Sequence, residues 1–225
     1  MLVAAIFGVV TLAAASGVYA QTAQPQLVVT WRTSGSYAPS DYQGKILPGY
    51  GARIIASLEA FSGGSILNLK SQTIYWYLND VLLGGGVGVQ TISFPPFGEP
   101  PTNMTLRVEL PRYSSGYLLH EIQIPTVQPT AVIDAPYPRG NVSASPVTVN
   151  ALPYFFNVTS ASDLSYSWAV NDQTGGTAEN PQVAQITIPA GAQSGATLAV
   201  SLTIKNTGDS TAATAYSNLT YVHQL

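Results

Sequence analysis

The chain has 225 residues, no cysteine, charged side chains at only 8% of positions and a formal net charge of −3. The missing thiol excludes a disulfide, a thiolate nucleophile and a zinc–thiolate site, and Lys and Arg residues scattered singly from Arg32 to Lys205 supply no footprint for nucleic acid. A surface this poor in charge must be built from hydroxyls, amides and glycine, which suits an extracellular protein and, through weak colloidal repulsion, permits self-association.

Met1 to Ala20 carries no charged side chain and ends in Val18, Tyr19, Ala20. Small residues three and one positions before a break are what a signal peptidase accepts, so cleavage after Ala20 is expected. An uncleaved membrane helix is the competing reading, since twenty apolar residues at about 1.5 Å each would just cross the hydrocarbon core. Ala, Gly and Ser in the second half, with no flanking Lys/Arg cluster, favour cleavage. Either way residues 21 onward are exported, and membrane contact follows only if Met1 to Ala20 is retained.

From there the chain is written in strands, short alternating apolar and polar runs bounded by Gly, Pro, Asn and Asp. Leu27, Val29 and Trp31 open a first module; Ala52, Ile54, Ala56, Leu58 and Ala60 make one strand face and Ile74, Trp76 and Leu78 another. Turns are expected at Asn79 and Asp80, at Gly84 to Gly88 and at Pro95, Pro96, Phe97 and Gly98. Ile122 and Ile124 close the module and Pro125 to Pro129 is a linker. A second module restarts at Ala131, Val132, Ile133, runs through a strand of Tyr154, Phe156 and Val158 and another of Tyr166, Trp168 and Val170, and ends at Leu219 and Tyr221. Six or seven short strands per hundred residues predict a β-sandwich in residues 25–125 and another in 130–225, after a leader at 1–20.

An internal repeat supports that division. Tyr75, Trp76, Tyr77, Leu78, Asn79, Asp80 is matched 92 residues later by Ser167, Trp168, Ala169, Val170, Asn171, Asp172. Ile92 to Pro95 matches Ile186 to Pro189, and the alternation of Met104, Leu106, Val108, Leu110 matches Leu198, Val200, Leu202, Ile204, both 94 residues on. A period of domain size means two like modules.

The alternation places Trp76 and Trp168 between the sheets as structural core anchors, with strand neighbours too apolar for a sugar-stacking platform. Tyr75 and Tyr77 then face the opposite way. With Tyr113 and Tyr117 they are the candidate ligand-binding residues, tyrosine being suited to recognition surfaces; the alternative is that they merely cover the outer sheet face or a module junction. The glycines of 84–88 precede Val89 to Phe94, a strand rather than a helix, so they form a mobile hairpin tip and not a phosphate cradle. His120 alternates with Leu118 and Ile122, His223 is nearly terminal, and no nucleophile or metal spacing surrounds either. No catalytic residue, metal or cofactor is therefore assigned, and the chain is read as not an enzyme. Asn103, Asn141, Asn157 and Asn218 each open an Asn-x-Ser/Thr triplet, a glycan acceptor in a eukaryotic secretory pathway and a frequent accident in a Ser/Thr-rich chain.

A tryptophan mid-strand, an Asn-Asp turn after it and a later strand ending in Lys205, Asn206, Thr207, Gly208 resemble the immunoglobulin-like and PKD-type modules strung together in bacterial surface proteins. With Trp31, the Tyr75 to Asp80 block and Ala135, Pro136, Tyr137, Pro138, the exported part also resembles uncharacterised two-module proteins of reduced-genome bacteria. The resemblance implies an all-β fold of two tandem immunoglobulin-like β-sandwiches after an apolar leader helix, and export to the cell surface or envelope. The immunoglobulin cysteine pair and the acidic calcium clusters of many relatives are missing from the sequence. The function expected is structural or adhesive, toward a protein or a cell-surface glycan; the alternatives are a carbohydrate-binding module using the tyrosines of the first module and a membrane-tethered subunit of an envelope assembly.

Overall fold

The computed structural model describes residues 24–96, 98, 102–113, 116–175 and 180–223; the expected leader helix lies outside the described residues. Every regular element among them is a strand or a single 3-10 turn. In chain order the strands are β1 (Gln26–Ser34), β2 (Arg53–Ser62), β3 (Ser65–Ile66), β4 (Thr73–Leu78), β5 (Val81–Val87), β6 (Thr91–Phe94), β7 (Asn103–Tyr113) and β8 (Gly116–Pro125). After a short connection come β9 (Thr130–Asp134), β10 (Asn141–Val142), β11 (Val147–Tyr154), β12 (Leu164–Val170), β13 (Gln173–Gly175), β14 (Val183–Ile186), β15 (Thr197–Asn206) and β16 (Ala212–Tyr221).

The first eight strands form two sheets, β1-β2 with β3 and β6 both on the far side of β2, and β5-β4-β7-β8. Their inward faces meet in one hydrophobic cluster that includes Ile54, Leu58, Ile74, Trp76, Met104, Leu106, Leu110 and Ile124. The last eight form β14-β11-β9 and β10-β16-β15-β12-β13 around a second cluster that includes Val149, Phe156, Trp168, Leu202 and Ile204. We call these module one and module two. Period-2 alternation explains the faces: β7 reads buried at Met104, Leu106, Val108 and Leu110, and β15 at Leu198, Val200, Leu202 and Ile204.

The repeat extends to bond detail. Between β4 and β5 the two-residue loop Asn79-Asp80 has φ of 47° and 66°, and between β12 and β13 Asn171-Asp172 has φ of 48° and 64°. Positive φ at both positions is the signature of a type I′ hairpin, whose twist matches the flanking strands and which Asn and Asp tolerate. Each Asn also joins the neighbouring strand: Asn79 Oδ1 accepts the Thr105 N–H and Asn171 Oδ1 that of Ala199, both at 2.9 Å.

Two expectations are corrected. Gly84 to Gly86 lie within β5, paired with Ile74 to Trp76, rather than at a hairpin tip; the tip is Asn79-Asp80. A Cβ at Gly85 would come within 2.5 Å of Tyr75 Cδ1, so the ring at 75 covers the space a side chain at 85 would need. Phe156 and Val158 do not continue the strand of Tyr154, because β11 stops there and Phe155 takes φ 62°; Phe156 is nevertheless fully buried.

The 18 residues between β1 and β2, 35–52, reach from module one onto module two. The Tyr37 N–H donates to Phe156 O at 2.9 Å, and the Phe155 N–H donates to Tyr37 O at 2.6 Å. Tyr42 packs edge-on against both Tyr154 and Phe155, with ring centroids 5.8 and 5.7 Å away. The Val127 N–H of the connection donates to Pro48 O at 3.1 Å. Midway along, the loop is tied back to module one by Lys45, whose ammonium sits 3.4 Å from the centroid of the Trp31 ring.

Candidate functional site

Trp76 is fully buried, and its Nε1–H donates to Val89 O at 2.9 Å; Trp168 is 3% exposed and donates to Pro181 O at 3.0 Å. A buried indole needs a partner for its single donor. In both modules that partner is a backbone carbonyl thirteen residues further on, in the segment leading to β6 or β14. The two rings are thus held within the cores, away from any solvent-facing surface.

Trp76 points inward from β4, so Tyr75 and Tyr77 on the same strand point outward. Pairing across the β5-β4-β7-β8 sheet sets two parallel rows on its outer face. One row is Leu82, Tyr77, Arg107 and Glu121; the next is Gly85, Tyr75, Glu109 and Leu119. Tyr117, 54% exposed, stands two residues before Leu119 on β8, on the same face. The structure therefore gathers Tyr75, Tyr77 and Tyr117. It does not bring in Tyr113, which packs against the core of module one beyond a register shift between Leu110 and Tyr113.

Arg107 is the centre of this face, and the sequence did not single it out. Its guanidinium lies 4.7 Å from the centroid of the Tyr77 ring and ion-pairs with the Asp80 carboxylate at the hairpin tip. Its Nε is 2.9 Å from Glu109 Oε1, close enough for an ion pair but without hydrogen-bond alignment, and Glu121 Oε1 lies 3.9 Å from Nη1. Three carboxylates around one guanidinium leave the cluster net negative. Burial against the sheet, followed by a hydrogen bond to Glu109 and the charge of that carboxylate, raises the Tyr117 phenol above its ordinary pKa. The result is an aromatic and aliphatic surface, Tyr75, Tyr77, Tyr117, Leu119 and Leu82, threaded by hydrogen-bond acceptors.

The remaining sequence candidates are dispersed. His120 pairs with Val108 on β8 and is half-buried. His223 is at the other end of the described chain, where its Nδ1 is 3.1 Å from the Tyr221 hydroxyl. Of the Asn-x-Ser/Thr asparagines, Asn103, Asn141 and Asn218 are exposed, whereas Asn157 is packed beside Gly35 and Gly51 at the contact between the modules.

No protein-family model matches the chain, and no curated protein matches it in sequence. Among solved structures it is similar to three N-terminal domains of the highly immunogenic outer capsid protein Hoc of bacteriophage RB49, with 12% identity and a TM-score of 0.43 over 87% of this chain and 59% of that one. It is also similar to fibronectin(III)-like modules of CbhA from Clostridium thermocellum, with 16% identity and a TM-score of 0.28 over 84% of this chain and 94% of that one. A third is SGBP-B of the Bacteroides ovatus mixed-linkage glucan utilization locus, solved in complex with a mixed-linkage heptasaccharide, at 11% identity and a TM-score of 0.28 over 89% and 48% of the two chains. The chain spans less than two thirds of the length of the first of these, and at such values the likeness is one of general construction alone.

Proposed function

We propose that this chain is an exported, non-enzymatic structural or adhesive protein of the cell envelope, built of two tandem immunoglobulin-like sandwiches over residues 25–125 and 130–225. Its contact surface is the outer sheet face of module one. The observation that carries this reading is the grouping of Tyr75, Tyr77 and Tyr117 with Leu119 around the Arg107 ion cluster on one solvent-facing sheet. Tyr and Arg recur in recognition surfaces because they combine large area with hydrogen-bonding tips and lose little rotamer freedom when already packed. A broad sheet face suits an extended partner, a protein surface or a cell-surface glycan.

A carbohydrate ligand is the second reading, favoured by one feature: Glu109 and Glu121 lie in the same rows as Tyr75 and Tyr77, so acceptors for sugar hydroxyls sit beside rings that can stack on a sugar face. Glycan arrays and pull-downs from intact cells, run with the wild type and with Tyr75→Ala, Tyr77→Ala and Tyr117→Ala, test both. Capture of a glycan, lost in the variants, selects the second reading; capture of a protein or envelope fraction, lost in the same variants, selects the first. Retention of every association by all three variants removes this face from consideration. Export is tested separately by sequencing the amino terminus of the native protein, which should begin at Gln21.

A further inference from the structure

We infer that module two carries a binding site of its own, around Tyr221 at the end where β14 and β16 finish, and that its ligand is a neutral, linear oligosaccharide. The inference uses no residue of the tyrosine face of module one, so the two readings stand or fail separately. Two open hollows adjoin at this end, with volumes of about 340 and 330 Å³. Each lies at the lower end of the volumes that hold small ligands. They share the turn 188–192 and Tyr221 as walls; Asn171, Thr197 and Leu198 help to complete one, and Ser143, Ser145 and His223 the other.

The walls are held in place before any ligand arrives. Tyr221 packs partly against the second core cluster; its N–H donates to Ala196 O at 2.8 Å, and its carbonyl accepts the Gly195 N–H at 2.7 Å. The His223 ring meets the Tyr221 ring edge-on, with centroids 6.3 Å apart. Ser145 Oγ accepts the Ile188 N–H at 3.1 Å, which joins the serine wall to the shared turn. A site fixed in this way loses little ordering entropy on binding.

The sandwich itself does not need the ring. Leu198 and Met104 are equivalent in the repeat, and across the sheet they pair with Leu219 and Ile124. Two residues further on stand Tyr221 in module two and Thr126 in module one. Thr126 is 3% exposed, and its hydroxyl is engaged with both the N–H and the carbonyl of Thr102. Module one therefore closes this position with a small hydroxyl, whereas module two sets a large ring there beside open space. On the shared turn, a Cβ added to Gly191 would meet nothing within 4 Å.

The chemistry of the walls selects the ligand. Among the described residues that line the hollows there is no Asp, Glu, Lys or Arg, so an ionic ligand would surrender its hydration without meeting a counter-charge. The walls offer an aromatic ring, the aliphatic surface of Ile188 and Pro189, and the hydroxyls of Ser143, Ser145 and Thr197. A pyranose matches that mixture, with a C–H face to lie on the ring and a hydroxyl edge to exchange hydrogen bonds. Two hollows of like size sharing one wall suit successive units of a chain rather than a lone sugar.

Amide NMR spectra of the isotope-labelled full chain, in a detergent without a sugar headgroup, read this directly when titrated with tetrasaccharides of glucose, xylose, mannose and N-acetylglucosamine. At least one of these neutral probes should shift the resonances of 188–197 and 221–223, and tetragalacturonate should leave them in place. Tyr221→Ala should weaken that binding at least about tenfold. Ala190→Glu should do the same, because it sets bulk and charge at an exposed point of the shared turn without disturbing the core. Tyr75→Ala, Tyr77→Ala and Tyr117→Ala should each bind as the wild type. Silence of both segments toward every neutral probe, equal shifts with tetragalacturonate, undiminished binding by Ala190→Glu, or loss of binding in the module one variants alone would each overturn the proposal.

Discussion

Gly49 lies so close to Phe155 that a Cβ at position 49 would be 2.2 Å from the Phe155 carbonyl oxygen. No side chain fits there, so the approach of module one's long loop to module two depends on glycine at this point. Gly49→Ala should release the loop while leaving both hydrophobic clusters intact. Small-angle scattering should then show a broader distribution of inter-module distances, and residues 35–52 should become cleavable by protease, with the unfolding midpoint of each module unchanged. An unaltered scattering profile would show that the loop does not hold the modules.

Trp168→Ala should cost module two about 3 to 5 kcal/mol, the usual range for emptying a large aromatic site from a packed core. The loss includes the partner of the Pro181 carbonyl. Urea denaturation followed by circular dichroism would measure it, and a mutant as stable as the wild type would contradict the core role.

The Asn171 position separates two effects. Asn171→Gly keeps the positive φ accessible but loses the bond to the Ala199 N–H, worth about 1 kcal/mol. Asn171→Ala loses that bond and adds left-handed strain of about 1 to 2 kcal/mol. Alanine should therefore be clearly worse than glycine in denaturant titrations, and the same order should hold at Asn79. Equal costs would place the turn's stability elsewhere.

Tyr166 gives the fold an alkaline limit. Burial, and secondarily the neighbouring Tyr37 phenol, raises its pKa from 10.0 to about 12, and its hydroxyl donates to Ala161 O at 2.8 Å. The folded state holds this proton to higher pH than the unfolded chain does. Its contribution is thus complete below pH 10 and is lost as pH rises through about 12. Denaturation midpoints measured from pH 8 to 12 should fall over that interval, and Tyr166→Phe, though less stable at pH 8, should fall less steeply. Parallel curves would refute the assignment.

The architecture was legible because it is local and repeated. Trp76 and Trp168, 92 residues apart, carry strand, turn and hydrogen-bond partner together, and the indole acceptors Val89 and Pro181 keep the same 92-residue spacing. Where the reading failed, a register or dihedral broke the alternation. The shift between Leu110 and Tyr113 turned Tyr113 into the core, and the positive φ of Phe155 ended a strand that composition would have continued. Glycine spelled turn in Gly84 to Gly86, yet the overlying Tyr75 ring makes one of those glycines a packing requirement inside a strand. Arg107 escaped notice because its partners Asp80, Glu109 and Glu121 are brought together only by cross-strand pairing.

The loop that bridges the modules also sets how the molecule can meet a surface. Tyr37 shares backbone bonds with Phe155 and Phe156, so the halves meet through main-chain pairing and not through the 126–129 connection alone. Were both outer sheets to meet a target, a second foothold would cost little additional ordering entropy where the target's spacing matched and would be forfeited where it did not.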